Sequence, residues 1–316
     1  MSRPRLTHMT SGAYAPPAPA RELTVPSTDG ARLYAEVHGP EGAPAVVLSH
    51  GWTCSTAFWA AQIRELAGDH RVIVYDQRGH GRSAASPVCT TRALADDLEA
   101  VLAATLADGE QALVVGHSMG GMTVMAAAGR PRFRAHAAAV LLASTGSARL
   151  VAEARVLPLR EGPLRTRLSA GILGSRAPLG PVTPLARRIL KYGTMGARST
   201  PEMVEACARI VHGCPTGARH AWSQVLASLD LDHGVRRLDL PTAVLHGTAD
   251  RLVPPVHAHA LVAELPRCVG LTELPGAGHM TPVEEPERVT GRIRELVSTY
   301  VTGAGEPAPQ RIKEGA

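Results

Sequence analysis

Residues 112–128 read ALVVGHSMGGMTVMAAA. A short apolar run from Ala112 to Val115 leads into the pentapeptide Gly116-His117-Ser118-Met119-Gly120, and an apolar stretch compatible with a helix follows. A lone G-x-S-x-G is a weak signal, but its position between a strand and a helix makes it a strong one. A serine in so sharp a turn must take a strained backbone conformation. Gly116 and Gly120 leave out the Cβ atoms that would clash there. Ser118 is therefore expected to stand above the edge of a sheet.

Working outward, AVVLSHG (45–51), RVIVYD (71–76), AAAVLLAS (137–144), TAVLHG (242–247) and CVGLTEL (268–274) repeat the apolar signature. Val-rich continuous runs predict strands covered on both faces, hence a parallel sheet. Between Thr90 and Ala107, Leu94, Leu98, Val101, Leu102 and Leu106 recur at helical spacing, which predicts a crossover helix. The stretches after Ser55, over Val256–Leu265 and over Glu284–Thr302 read the same way. The class is α/β. From residue 149 to 221 the strands stop and Gly, Pro and Arg take over. Residues 149–219 of that stretch hold twelve Lys and Arg against four Glu, a net of +8, which leaves the rest of the chain at −3 of its total +5. The expected division is a first core part over 21–148, this insertion, a second core part over 222–302, and disordered tails at 1–20 and 303–316 that are rich in Pro, Ala and small residues.

With 316 residues, 45% of them apolar and 19% charged, the chain is long and apolar enough for a large buried core, so disordered and fibrous classes drop out. Ten aromatic residues do not interleave with the basic ones, so no nucleic-acid partner is expected. No apolar run reaches the length of a transmembrane helix or a secretory signal, and the expected location is cytoplasmic. Cys54, Cys89, Cys207, Cys214 and Cys268 are odd in number and form no CxxC pair, which argues against a disulfide framework. His257-Ala-His259 has no obvious third ligand, so no metal and no cofactor are assigned.

A serine hydroxyl needs a general base, and the base needs a group to fix its tautomer. His279, in LPGAGHM after CVGLTEL, and Asp250, in HGTAD after the strand TAVLHG, stand in strand-end loops in the order Ser, Asp, His. Acyl transfer also needs two backbone donors for the oxyanion. The amides of Trp52, in His50-Gly51-Trp52, and Met119, the residue after Ser118, are the candidates. The side chains of the same two residues are candidates for the substrate pocket.

Together, GHSMGG, the HGW turn, Asp76-Gln-Arg-Gly-His-Gly-Arg-Ser83, HGTAD and GAGHM resemble the α/β-hydrolase superfamily in its serine-nucleophile, lidded branch, over residues 21–302. The resemblance implies an eight-stranded, mostly parallel sheet flanked by helices. It also implies a mainly helical lid between the sixth strand and the helix before the eighth, here the 149–221 insertion, and the triad Ser118, Asp250, His279. Asp76, Arg78, His80 and Ser83 read as loop scaffold. Relatives with an Asp nucleophile, such as haloalkane dehalogenases and epoxide hydrolases, are disfavoured by Ser118.

The expected function is a cofactor-free serine hydrolase that cleaves a carboxylic ester, lactone or related acyl bond through an acyl-enzyme. Its partner would be a small-molecule acyl substrate. The alternatives are a lyase, a cyclase or a carbon-carbon bond hydrolase on the same triad, and a non-catalytic binding protein. The basic insertion permits an anionic or carrier-linked substrate, although a solvated basic face is the simpler reading.

Overall fold

The computed structural model describes residues 8–303. Eight strands, β1 (Arg21–Pro26), β2 (Arg32–His38), β3 (Ala45–Ser49), β4 (Arg71–Tyr75), β5 (Ala112–His117), β6 (Ala137–Ala143), β7 (Thr242–Gly247) and β8 (Cys268–Leu274), form one sheet in the order β1-β2-β4-β3-β5-β6-β7-β8. β2 runs antiparallel to β1 and β4, and every other neighbouring pair is parallel. β1 and β2 carry charged and polar residues between their apolar ones, which is why they do not stand out as continuous runs.

Alternation along the central strands divides the core into two layers. Val47, Ile73, Tyr75 and Val114 pack on one side with Leu94, Leu98 and Val101 of the helix Thr91–Thr105. Val46, Leu48, Val72, Val74, Leu113 and Val115 pack on the other with Trp59, Ile63 and, from the helix Pro286–Tyr300, Ile293 and Leu296. Both faces of the sheet are thus buried, as the apolar runs require. Thr90 caps the helix Thr91–Thr105, its side chain accepting from the Ala93 amide.

Between β6 and β7 the helices Leu150–Glu153, Pro163–Leu173, Pro184–Thr194, Pro201–Gly213, Thr216–Ala227 and Asp232–Arg237 replace the strand alternation. The helix Thr216–Ala227 runs across the expected boundary at residue 221, so the helical insertion continues beyond it. Trp222 on this helix is fully buried, and its indole N–H donates to Arg78 O at 3.1 Å.

Residues 1–7 and 304–316, most of the two expected tails, lie outside the described residues. The described part of the first tail makes specific bonds to the body of the protein. The Tyr14 hydroxyl donates to Val283 O at 3.1 Å, Arg64 Nη2 donates to Ala15 O at 2.8 Å, and the Ala20 amide donates to Val37 O at 2.9 Å. A tyrosine offers an apolar ring and a polar tip together, so one residue can dock a segment that has no regular structure of its own. Among the described residues no helix is long and apolar enough to cross a membrane.

Candidate active site

Ser118 occupies the turn between β5 and the helix Met119–Ala127, with φ 51° and ψ −118°. Such a conformation is strained for a residue with a Cβ and persists because its surroundings hold it. The Ser118 amide donates to Ala143 O at 3.0 Å, and its carbonyl accepts from Thr145 Oγ1 at 2.7 Å. The glycines on either side are obligatory. A Cβ on Gly116 would lie 2.5 Å from Gly120 O, and one on Gly120 would lie 2.0 Å from Ser49 O. Ser118 itself is only 6% exposed.

Asp250 follows β7, and its buried carboxylate is oriented from two directions. Oδ1 accepts from the amides of Leu252 and Val253, each at 2.9 Å, and Oδ2 lies 2.7 Å from His279 Nδ1. Because a carboxylate oxygen accepts, Nδ1 is the donor of this bond and Nε2 is the ring nitrogen left outside it. His246 Nε2 donates to Val253 O at 2.8 Å and stands 3.6 Å from the same Asp250 Oδ2.

His117 links the two halves. Its Nε2 donates to the His279 carbonyl at 2.8 Å, and the two rings lie 5.0 Å apart. Burial holds His117 well below its ordinary pKa, so it is a neutral strut. Among the described residues no hydrogen bond joins Ser118 Oγ to His279. Such bonds are often long in unliganded sites and tighten once substrate is in place. The structure thus brings Asp250 and His279 into contact, and His117, the residue before Ser118, holds the His279 backbone.

The turn after β3 closes the other side. A Cβ on Gly51 would fall 3.1 Å from Ser118 Cβ, so only glycine lets the turn approach the serine this closely. Neither the Trp52 amide nor the Met119 amide has a hydrogen-bond acceptor among the described residues. Thr53, at φ 64°, takes a left-handed conformation that is rare for a β-branched residue. It is held there by its own hydroxyl on Trp52 O at 2.6 Å and by its amide, which donates to His80 Nε2 at 3.2 Å. The Trp52 indole donates to Arg219 O of the insertion at 3.0 Å. The Met119 side chain is fully buried in the core. Trp52 remains partly exposed.

The scaffold reading of the 76–83 loop rests on visible bonds. Asp76 accepts from the amides of Thr56 and Arg82, each at 2.7 Å, Ser83 Oγ donates to Asp76 O, and Arg78 forms a two-pronged pair with Asp97 at 2.6 Å on both prongs. His50 Nε2 accepts from the Gln77 amide at 3.0 Å, tying this loop to the HGW turn. His257 and His259 do not converge. His257 Nε2 is buried without a partner, and His259 faces Glu273 at 3.3 Å.

Two residues at this site escaped the sequence reading. His117 fills an unspecified position of the pentapeptide. Glu284, whose carboxylate accepts from the amides of Gly278 and Met280 on either side of His279, sits among ordinary helix-start residues. Neither carries a pattern that spacing could reveal.

Comparison with known proteins bears on the family and the fold. The model of the alpha/beta hydrolase family matches residues 46–292. A pimeloyl-[acyl-carrier protein] methyl ester esterase of Xylella fastidiosa is 28% identical over 84% of this chain and 99% of its own length. A bifunctional esterase/perhydrolase of Acinetobacter calcoaceticus is 28% identical over 84% of this chain and 95% of its own. Among solved structures, a thermophilic esterase from Thermogutta terrifontis superposes with a TM-score of 0.71 at 28% identity, covering 89% of this chain and 99% of that one. With sheet order, elbow and family match in agreement, the chain belongs to the α/β hydrolase family.

Proposed function

We propose that this protein is a serine hydrolase of carboxylic esters, with Ser118 as nucleophile, His279 as general base and Asp250 as its orienting carboxylate. The observation that carries the reading is the 2.7 Å contact of Asp250 Oδ2 with His279 Nδ1, on a carboxylate already fixed by two amides. It leaves Nε2 of His279 as the basic atom, in a loop whose backbone is braced by the residue preceding Ser118. In the first half-reaction Ser118 Oγ bonds to the carbonyl carbon as Nε2 takes the hydroxyl proton. The carbonyl oxygen becomes an oxyanion, for which the unengaged amides of Trp52 and Met119 serve as donors. Collapse breaks the ester C–O bond, and the alcohol departs with the proton from Nε2. Water then attacks the acyl-enzyme, giving its proton to Nε2, and Ser118 is released with the carboxylic acid.

Residues 149–221 serve in this reading as the lid, and the Trp52 to Arg219 bond supports it because it joins the insertion to the turn beside the nucleophile. The substrate is a small acyl ester. A carrier-linked or anionic one is less favoured by the insertion's cations: Arg187 pairs with Glu205 at 2.6 Å and Lys191 Nζ donates to Ser199 O at 2.8 Å, so both are engaged within the chain. The five cysteines are all unpaired, in keeping with a reducing, cytoplasmic setting.

Turnover of an activated aryl ester tests the assignment. Ser118→Ala and His279→Ala should each lower kcat by about a thousandfold or more. A burst of alcohol and incorporation of oxygen from labelled water should accompany turnover by the unaltered protein. Activity retained in either variant refutes the triad, and turnover without incorporation of labelled oxygen points to a lyase on the same scaffold.

A further inference from the structure

The loop that carries His279 is gripped by a carboxylate outside the proposed triad. Glu284 Oε1 accepts from the Met280 amide at 3.0 Å, and both of its oxygens lie 3.1 Å from the Gly278 amide. Oε2 also accepts from the Gly196 amide at 2.6 Å and from Ser199 Oγ at 2.8 Å, and both of these belong to the insertion. Four donors thus occupy the roughly four acceptor sites that a carboxylate offers. The amide left between them, that of His279 itself, donates to Thr194 O at 2.8 Å, at the end of the insertion helix Pro184–Thr194.

All three consecutive amides from Gly278 to Met280 are therefore immobilised, two by Glu284 and one by the insertion. The His279 carbonyl is held by His117. Contact between the two segments is close enough to exclude side chains. A Cβ on Gly278 would sit 2.5 Å from Met195 C, and one on Gly196 would sit 2.0 Å from Gly276 O. A local helix cap would explain the Met280 bond alone. It would not explain why the same carboxylate reaches the insertion.

We propose that Glu284 is a positioning residue: it fixes the backbone of His279 and couples the placement of that imidazole to the insertion. The proposal rests on His279 being the general base. Because proton transfer depends steeply on geometry, loosening this loop lowers the rate of the chemical step while leaving ground-state binding nearly intact.

The test is Glu284→Gln in the full chain. The side chain keeps its size but presents an NH2 to backbone N–H groups. With an activated aryl ester, kcat should fall ten- to a hundredfold while KM stays within about twofold. Labelling of Ser118 by a fluorophosphonate should slow in parallel, and the low-field proton resonance of the His279 Nδ1–H bond to Asp250 should broaden or vanish. A folded variant with kcat within about threefold of the unaltered protein overturns the proposal, as does a loss of kcat with the low-field resonance unchanged. Should Glu284→Gln fail to fold, Ser199→Ala removes one insertion-side donor in its place, and an unchanged kcat there overturns the coupling. His279→Ala is run alongside. If that variant remains active, the triad itself is wrong, whereas an inactive His279→Ala beside a fully active Glu284→Gln sinks only the role of Glu284.

Discussion

Gly120 shows how little room a nucleophile elbow leaves. Its missing Cβ would stand 2.0 Å from Ser49 O and 2.9 Å from His50 O, both backbone atoms of the segment leading into the HGW turn. No side-chain rotation can relieve such a clash, so Gly120→Ala must push β3 and the elbow apart. We expect a stability loss of about 1–3 kcal/mol from the overpacking and a larger proportional loss of kcat, because Ser118 and the Trp52 amide separate together. Urea midpoints and aryl-ester kinetics on the same sample check this, and kcat loss no greater than the fraction unfolded would contradict it. Such constraints are why Ser118, Asp250 and His279 were readable from spacing: each lies in a glycine-marked turn at a strand end. His117, Glu284 and Thr194 were not, because they act through contacts with backbone groups that any stretch of chain could offer.

Among the elements, the bond between the 76–83 loop and the helix Thr91–Thr105 is an ion pair with almost no solvent. The side chains of Arg78 and Asp97 are each 1% exposed, and Asp29 adds a third group at 2.8 Å. Removing the arginine would leave the Asp97 carboxylate buried and uncompensated. Arg78→Leu should therefore cost about 3–5 kcal/mol, whereas the double change with Asp97→Leu should recover much of it. A double-mutant cycle by urea denaturation measures both, and a single-variant cost below about 1 kcal/mol would show that the pair is dispensable. Legibility at this scale followed burial. The five inner strands covered on both faces, β3 to β7, announced themselves as apolar runs, and the helix Thr91–Thr105 as a leucine stripe. β1, at the sheet edge with Arg21, Glu22 and Thr24 facing outward, offered no such run. The docking of Tyr14 against Val283 was hidden because it depends on a residue 269 positions away.

For the molecule as a whole, pH dependence follows from histidines kept neutral in the interior. Burial depresses His50 to about 3, His80 to about 4 and His257 to about 4, and it lowers His246 and His117 as well. An unfolded chain protonates these rings near 6.5, so between that pH and about 4 it binds protons that the folded chain refuses. Their stabilisation is complete above 6.5 and drains away as pH falls, by up to about 1.4 kcal/mol per pH unit for each ring. Asp76 works in the opposite sense. Burial raises it to about 7, outweighing the two amide bonds it accepts, so its contribution is full below about 4 and is lost as pH rises toward neutrality. Five rings outnumber this carboxylate and Asp97, which burial also raises, so the urea midpoint should decline steadily from pH 6.5 to 4.5. A flat or rising midpoint would contradict the assignment of neutral rings. In the folded chain His50 Nε2 and His80 Nε2 accept from the amides of Gln77 and Thr53. A proton on either nitrogen sets N–H against N–H and unties the turn that carries Trp52. In the folded chain this untying sets in only near pH 4, where His80 takes up its proton, so it should follow the fall of the urea midpoint and not precede it.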